Sequence, residues 1–395
     1  MRRILLLLCC LAAFNGCAGL DTLKDAYEGL GDYFGGKDNA EPPAELKDQE
    51  FPHKLAVLWK ESVGKGLDEQ DINLVPAVTE AAVFAADRRG LVRAYNRLTG
   101  DRLWETDAEL AFSAGPTVGR DKLVLGTSNA EVAAYNAADG ALLWKTTVSS
   151  EVLAQPRIEG GVVVIRSSDG RITALDEKTG ATQWTFERSA PILAVRSRGA
   201  PIIVEDLVID GYGGGKLSAL QIKDGKPAWE ATVAIPHGRS EIERLVDLDS
   251  NPAVRGSTLY VSGYQAGIAA VSVGDGDVQW REDKVSSHTG LVLHRRTLFL
   301  TDANSDVWQV DTRDGGDLWK QAELHQRRMT APAVIKNLLV VGDFEGYLHL
   351  LAQDDGSLQG RLQLDGSPIE AAPVVFDDVI YVYTSAGTLA AVSVD

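Results

Sequence analysis

The chain has 395 residues, 45% hydrophobic and 24% charged, with 56 acidic against 39 basic side chains and a formal net charge of −17. That composition belongs to a globular protein with a large core and excludes a wholly disordered chain. The acidic balance repels phosphate backbones and anionic lipid surfaces, which excludes nucleic acid as a partner.

Arg2 and Arg3 precede an apolar run from Ile4 to Phe14. A positive end followed by an apolar stretch too short to span a bilayer predicts an export leader. Gly16-Cys17, where the run ends, is similar to the cleavage box of bacterial lipoproteins, although Phe14 and Asn15 depart from its usual residues. The resemblance implies a leader over residues 1–16 and acylation of Cys17 as the first residue of the mature chain. Ala18 rather than Asp after the cysteine implies sorting to the outer membrane; ordinary secretion with cleavage nearby is the alternative. All three cysteines, Cys9, Cys10 and Cys17, lie in this stretch, so the exported part has no thiol for a disulfide or a soft-metal site. Residues 21–50 combine acidic residues, scattered glycines and Pro42-Pro43 with little apolar content. Residues 17–51 are therefore predicted to be a flexible, acylated tether, with a folded domain over 52–395.

Beyond residue 52 one pattern keeps returning. Gly-x-apolar-x-small-apolar occurs at Gly90–Tyr95, Gly170–Leu175, Gly215–Leu220, Gly346–Leu351 and Gly387–Val392, with degenerate copies ending at Tyr135, Val271 and Val310. In every copy but the last a glycine follows five positions later, and Trp104, Trp144, Trp184, Trp229, Trp280 and Trp319 stand four residues past that glycine. Only Gly360 breaks the tryptophan rule. A glycine that admits positive φ between alternating apolar runs predicts a tight hairpin. Two further β-rich runs precede each hairpin, so each period of about 40 residues holds four strands, as in a propeller blade. The eighth copy stops at Asp395 before its last strand, and Leu55–Trp59 supplies the missing strand from the other end. The prediction is an all-β fold: an eight-bladed β-propeller of four-stranded antiparallel blades, closed by pairing of the N- and C-terminal strands. The recurring glycines and tryptophans are read as scaffold, because residues repeated at equivalent positions seldom define one site.

Function is expected where the repeat is interrupted. From each Trp to the proline opening the next blade the count is 12 after Trp104 and Trp144, but 17 after Trp184 and 23 after Trp229. Both insertions leave the fourth strand of a blade, so they emerge side by side on one face. The first, "SAPILAVRSRGAP", sets Ile192, Leu193 and Val195 beside Arg196 and Arg198. Apolar side chains framed by arginines suit a protein-binding hot spot. The second, "HGRSEIERLVDLDSNPAV", places Glu241, Glu243, Asp247 and Asp249 around Arg244 and Leu245, which suits a basic or strand-presenting partner. The competing reading has the apolar residues folding back as extra core and Asp247 or Asp249 bonding backbone amides in a turn. A third long connection runs from Trp59 to Pro76.

The repeat is similar to pyrroloquinoline-quinone-type propellers, and the leader, "LAVRSRGAP", "EIERLVDLDSNPAV" and "VVGDFEGYLHLL" together resemble the BamB family of outer-membrane protein assembly factors. The resemblance covers Pro52 to the end. It implies a non-enzymatic scaffold lipoprotein without cofactor, anchored in the outer membrane and facing the periplasm. Its partners would be the periplasmic domains of the barrel subunit BamA, other machinery subunits indirectly, and unfolded outer-membrane proteins. Carried over by position, the partner-binding residues are Leu193, Val195, Arg196, Asp247 and Asp249. Ile192, Arg198, Glu241, Glu243 and Arg244 are flanking candidates. Val195 stands where the family has leucine, and Ser197-Arg198 where it has glycine and an acid. The alternative is a quinone-dependent periplasmic dehydrogenase on the same repeat, which often stacks adjacent cysteines on its cofactor; past Cys17 there is no cysteine. The six histidines show no ligand spacing, and no metal site is predicted.

Overall fold

The computed structural model describes residues 41–395 except 189–197, 238 and 241–242, so the leader and Cys17 lie outside the described residues. The described strands all belong to the compact unit Pro43–Asp395. They form eight sheets, seven of them built on four successive antiparallel strands and the eighth on the last three strands with the first. The first blade runs outward through Ala77–Val78, Ala82–Ala86, Leu91–Asn96 and Arg102–Asp107. Six more blades follow at residues 112–147, 157–186, 202–232, 253–282, 291–321 and 333–363. In the eighth, Val374–Phe376, Val379–Tyr383 and Thr388–Val394 are completed on the outside by Leu55–Ser62, paired from Leu55↔Val394 to Ser62↔Thr388. The chain is the eight-bladed propeller its repeat predicts, and the ring closes as expected.

The glycine and tryptophan of the repeat turn out to be two halves of one contact. Each Trp on an outermost strand lies against the turn glycine of the next blade. Gly140 sits at φ +74°, and a Cβ added there would lie 2.5 Å from Cε3 of Trp104. The indole then reaches over the same turn: Trp104 Nε1 donates to Ala137 O at 3.0 Å, Trp144 to Glu177 O at 3.0 Å and Trp229 to Val273 O at 2.8 Å. The same bond recurs from Trp59, Trp184, Trp280 and Trp319. Seven of the eight junctions thus pack a large ring and satisfy a turn carbonyl in one step. Side-chain oxygens of Asn96, Asn136, Asp176 and Asp311 accept from the backbone N–H two residues on and shape the turns themselves.

All eight outermost strands carry a β-bulge at the residue before the Trp position, for example Leu58, Leu103 and Leu143. A bulge twists an exposed edge and discourages pairing with another chain. Between blades the apolar second and third strands stack, as where Val163, Ile165 and Leu175 meet Val124 and Ala134.

Two segments depart from expectation. The connection from Trp59 to Pro76 buries Val63, Leu67, Ile72 and Leu74. It also adds Asn73–Leu74 as a fifth, parallel strand beside Phe112–Gly119 of the second blade. The tether predicted to run freely to residue 51 is, from Ala44 onward, docked along the seventh blade, because Leu46 and Phe51 find apolar and cationic partners there.

Candidate partner-binding face

Chain direction puts every connection from an outermost strand to the next blade on one face, together with the turn between second and third strands. The two meet in Ala108 N–H to Gly90 O at 2.9 Å, Val148 N–H to Ala130 O at 2.8 Å and Val233 N–H to Gly215 O at 2.8 Å. Both insertions, between the third and fourth and between the fourth and fifth blades, arise here.

The ends of the two insertions brace each other. Ala200 N–H donates to Asn251 Oδ1 at 2.8 Å, and the backbone of Gly199 lies flat on the Asp249 carbonyl, where a Cβ would come within 2.4 Å. Arg166, on the second strand of the third blade, donates from Nη1 to Gly199 O at 3.1 Å. The tail of the second insertion then threads between two blade turns, with Asp247 bridging Gly213 on one side and Tyr264 on the other. Gly214 N–H donates to Val246 O at 2.7 Å and Asp247 N–H to Tyr264 O at 3.1 Å. Gly263 is needed for this close approach, since a Cβ there would fall 2.0 Å from Asp247 O.

A buried charge network lies beneath. Asp210 is 3% exposed, with Arg166 at 3.4 Å and Arg188 at 3.9 Å. Burial pushes its carboxyl up, and the two guanidiniums pull it back. The Arg188 guanidinium stacks 3.1 Å above the Tyr212 ring and donates to Ser218 Oγ at 2.8 Å. Burial lowers its pKa, against the pull of Asp210. Asp249 is pushed up to about 7 by burial, opposed by the Tyr264 N–H that its Oδ1 accepts at 2.9 Å.

Of the residues singled out from sequence, Cys17, Ile192, Leu193, Val195, Arg196 and Glu241 lie outside the described residues. Asp247 and Asp249 are 2% and 7% exposed, so they form the floor of the second insertion, and Asp249 makes the backbone bond of the competing reading. Glu243 is exposed but spends its carboxylate on Arg239 N–H at 2.7 Å and Ser240 N–H at 3.1 Å, while Ser240 Oγ accepts from Glu243 N–H. Arg244 is exposed. Arg198 is half-buried and ion-paired with Asp71, in the connection that runs from Trp59 to Pro76. Sequence reasoning missed Arg166, Arg188, Asp210 and Asn251. The signal available was a charge inside otherwise apolar second strands, "VVVIR" and "LVIDGY".

A family model described as outer membrane protein assembly factor BamB matches residues 88–321 and 304–395. The chain belongs to this family. BamB of Legionella pneumophila strain Paris is 44% identical over 393 residues, 99% of each chain. BamB of Pseudomonas aeruginosa is 47% identical over 353 residues, covering 89% of this chain and 93% of that one. The crystal structure of BamB from Moraxella catarrhalis superposes with a TM-score of 0.77 at 25% identity, over 86% of this chain and 99% of that one. Quinohemoprotein alcohol dehydrogenase from Comamonas testosteroni reaches a TM-score of 0.69 at 12% identity, over 86% of this chain and 76% of that one, a likeness of fold alone. BamB proteins are assembly factors and not enzymes, and this chain is one of them. Among the described residues no three His, Cys, Asp or Glu side chains stand together as a metal site.

Proposed function

We propose that the chain is a lipid-anchored scaffold of the β-barrel assembly machinery, held to the outer membrane through Cys17 and facing the periplasm. Its two insertions bind the periplasmic domains of the barrel subunit BamA. The observation that supports this most is that the insertions, separate in sequence, are hydrogen-bonded to each other at Ala200–Asn251 and closely packed at Gly199 against Asp249, which brings their ends together on one face. On that reading Leu193, Val195 and Arg196 touch the partner. Asp247 and Asp249 hold the floor beneath them, and Ile192, Arg198, Glu241, Glu243 and Arg244 flank the contact.

The mechanism is passive. A rigid ring offers a preformed patch, which lowers the ordering cost of association. The lipid raises effective concentration, so modest intrinsic affinity suffices. Other machinery subunits are reached through BamA, and unfolded outer-membrane proteins are organised on the complex. The test is capture of purified BamA periplasmic domains by the mature chain. Arg196→Ala and Leu193→Ala should each weaken binding at least tenfold, the loss expected of a hot spot of about 1.4 kcal/mol or more. Leu98→Ala, on the opposite face, should bind as wild type. Undiminished binding by both insertion variants overturns the assignment.

A further inference from the structure

Eight large apolar side chains stand well exposed among the described residues, and six of them lie on three consecutive blades. Val57 and Leu58 are on the eighth, Leu98 and Leu103 on the first, and Leu142 and Leu143 on the second, each between 43% and 70% exposed. The blade junctions make them neighbours. Trp59 crosses from the eighth blade to the Gly100 turn of the first, which sets Val57 and Leu58 beside Leu98. Trp104 crosses to the Gly140 turn of the second in the same way and sets Leu103 beside Leu142.

Equivalent positions elsewhere on the ring differ. The bulge residue is leucine on these three blades but Gln183, Ala228, Gln279 and Gln359 on the third, fourth, fifth and seventh. The sixth blade repeats the leucine at Leu318, next to Asp317 and away from the band. A bulge denies a backbone ladder to an incoming strand, so the band offers side-chain surface. The charges beside it are already paired: Arg93 and Arg102 with Glu105, Lys145 with Glu131, and Arg97 with Asp377. An occupant therefore needs apolar groups and no complementary charge.

The seventh blade shows what such a wall accepts. Leu358 holds there the position that Val57 and Leu142 hold on their blades, two before the Trp position. It shares a cleft and an apolar cluster with Leu46, from a stretch of chain outside any helix or sheet. Ala44 and Leu46 are half-buried while Glu45 and Lys47 are exposed, an alternation of period two. Ala44 N–H donates to His325 O at 2.9 Å, Arg361 Nη2 to Lys47 O at 2.6 Å and His53 N–H to Gln359 O at 2.9 Å. Gly360 replaces the tryptophan and makes room, since a Cβ there would lie 3.0 Å from Leu55 Cδ1 and 3.1 Å from His53 O. On the eighth, first and second blades the wall is bare. Its exposed apolar surface is on the order of 500 Å², the size of a functional patch on a monomer. That falls short of the roughly 800 Å² per partner of a stable folded pair, and a net charge of −17 opposes a second copy.

We propose that the outer wall of the eighth, first and second blades binds an extended segment of unfolded polypeptide whose apolar side chains alternate with polar ones. The contact imitates that of residues 44–47 with the seventh blade. It is separate from the insertions and does not rest on the BamA reading.

The test uses the chain produced without residues 1–16, under reducing conditions. The probe is a fluorescein-labelled peptide of about ten residues, the length of one barrel strand, alternating leucine with threonine and ending in lysines. Its counterpart with serine for leucine is the blank. Fluorescence anisotropy should show binding of the alternating peptide and none of the blank. Leu103→Lys/Leu142→Lys should bind about tenfold more weakly. Leu318→Lys, at a leucine of the same exposure outside the band, should bind as wild type. Leu98→Lys, in a turn where no ladder is disturbed, should also weaken binding and decides the matter if the double variant is unstable. Capture of BamA domains should be the same in all four chains, and its failure in the wild type would count against the BamA reading alone. No binding of the peptide by the wild type, or an equal loss in Leu318→Lys, overturns the proposal. A dimer in sedimentation equilibrium that the wall variants abolish also overturns it, because the wall would then belong to a second copy.

Discussion

Gly140→Ala isolates the contact that joins one blade to the next. Two costs add. An alanine at φ +74° is in the left-handed region, which costs about 1–2 kcal/mol. Its Cβ would also lie 2.5 Å from Trp104 Cε3 and 2.6 Å from Thr106 Oγ1. The indole must move, and its bond to Ala137 O and part of its packing are lost, about 2 kcal/mol more. Gly160→Ala is the control, since Gly160 has φ +62° and nothing within 4 Å of a Cβ. For a domain of about 350 residues the unfolding entropy is roughly 0.7 kcal/mol per degree, so 1 kcal/mol corresponds to about 1.4 °C in Tm. Scanning calorimetry should show a drop of about 5 °C for Gly140→Ala and about 2 °C for Gly160→Ala. Equal drops would refute the idea that the glycine exists to receive the neighbouring tryptophan.

Trp229→Phe keeps a ring but removes the donor to Val273 O, and should cost about 1–2 kcal/mol with unchanged circular dichroism. Arg166→Met strips the donor from Gly199 O and leaves Asp210 with Arg188 alone. It should cost about 3–5 kcal/mol and speed hydrogen exchange over residues 198–201, whereas unchanged exchange would count against the bracing of the insertions. Asp249 is raised to about 7 in the folded chain against 3.8 when unfolded, so the folded state holds the extra proton between those values. Stability should therefore fall as pH rises from about 4 through 7. Asp249→Asn cannot ionise but can still accept from Tyr264 N–H, so its Tm should fall less steeply between pH 5 and pH 8; parallel profiles would contradict the burial argument.

The repeat was legible because its causes are simple: a turn needs its glycine and an outer strand its large apolar residue, seven times over. The closing of the ring was equally plain, since the one strand missing after Val392 is present from Leu55. The break at Gly360 was visible without its reason, which depends on a segment distant in sequence, residues 44–55, passing over it. Asp247 and Asp249 look like surface residues in a charged loop. Their burial depends on Gly213, Gly263 and Tyr264, contributed by two different blades, and no spacing rule connects these. Arg166 and Asp210 were hidden in the same way, each a single charge in an apolar strand whose partner stands one blade away.

The most direct measurement is site-specific photocrosslinking in cells, with a benzophenone amino acid in place of Leu193 in the first insertion or of Leu98 on the opposite face. The account predicts an adduct to BamA from position 193 and none from position 98. An adduct from 98 with none from 193 would show that the partner binds the other face of the ring.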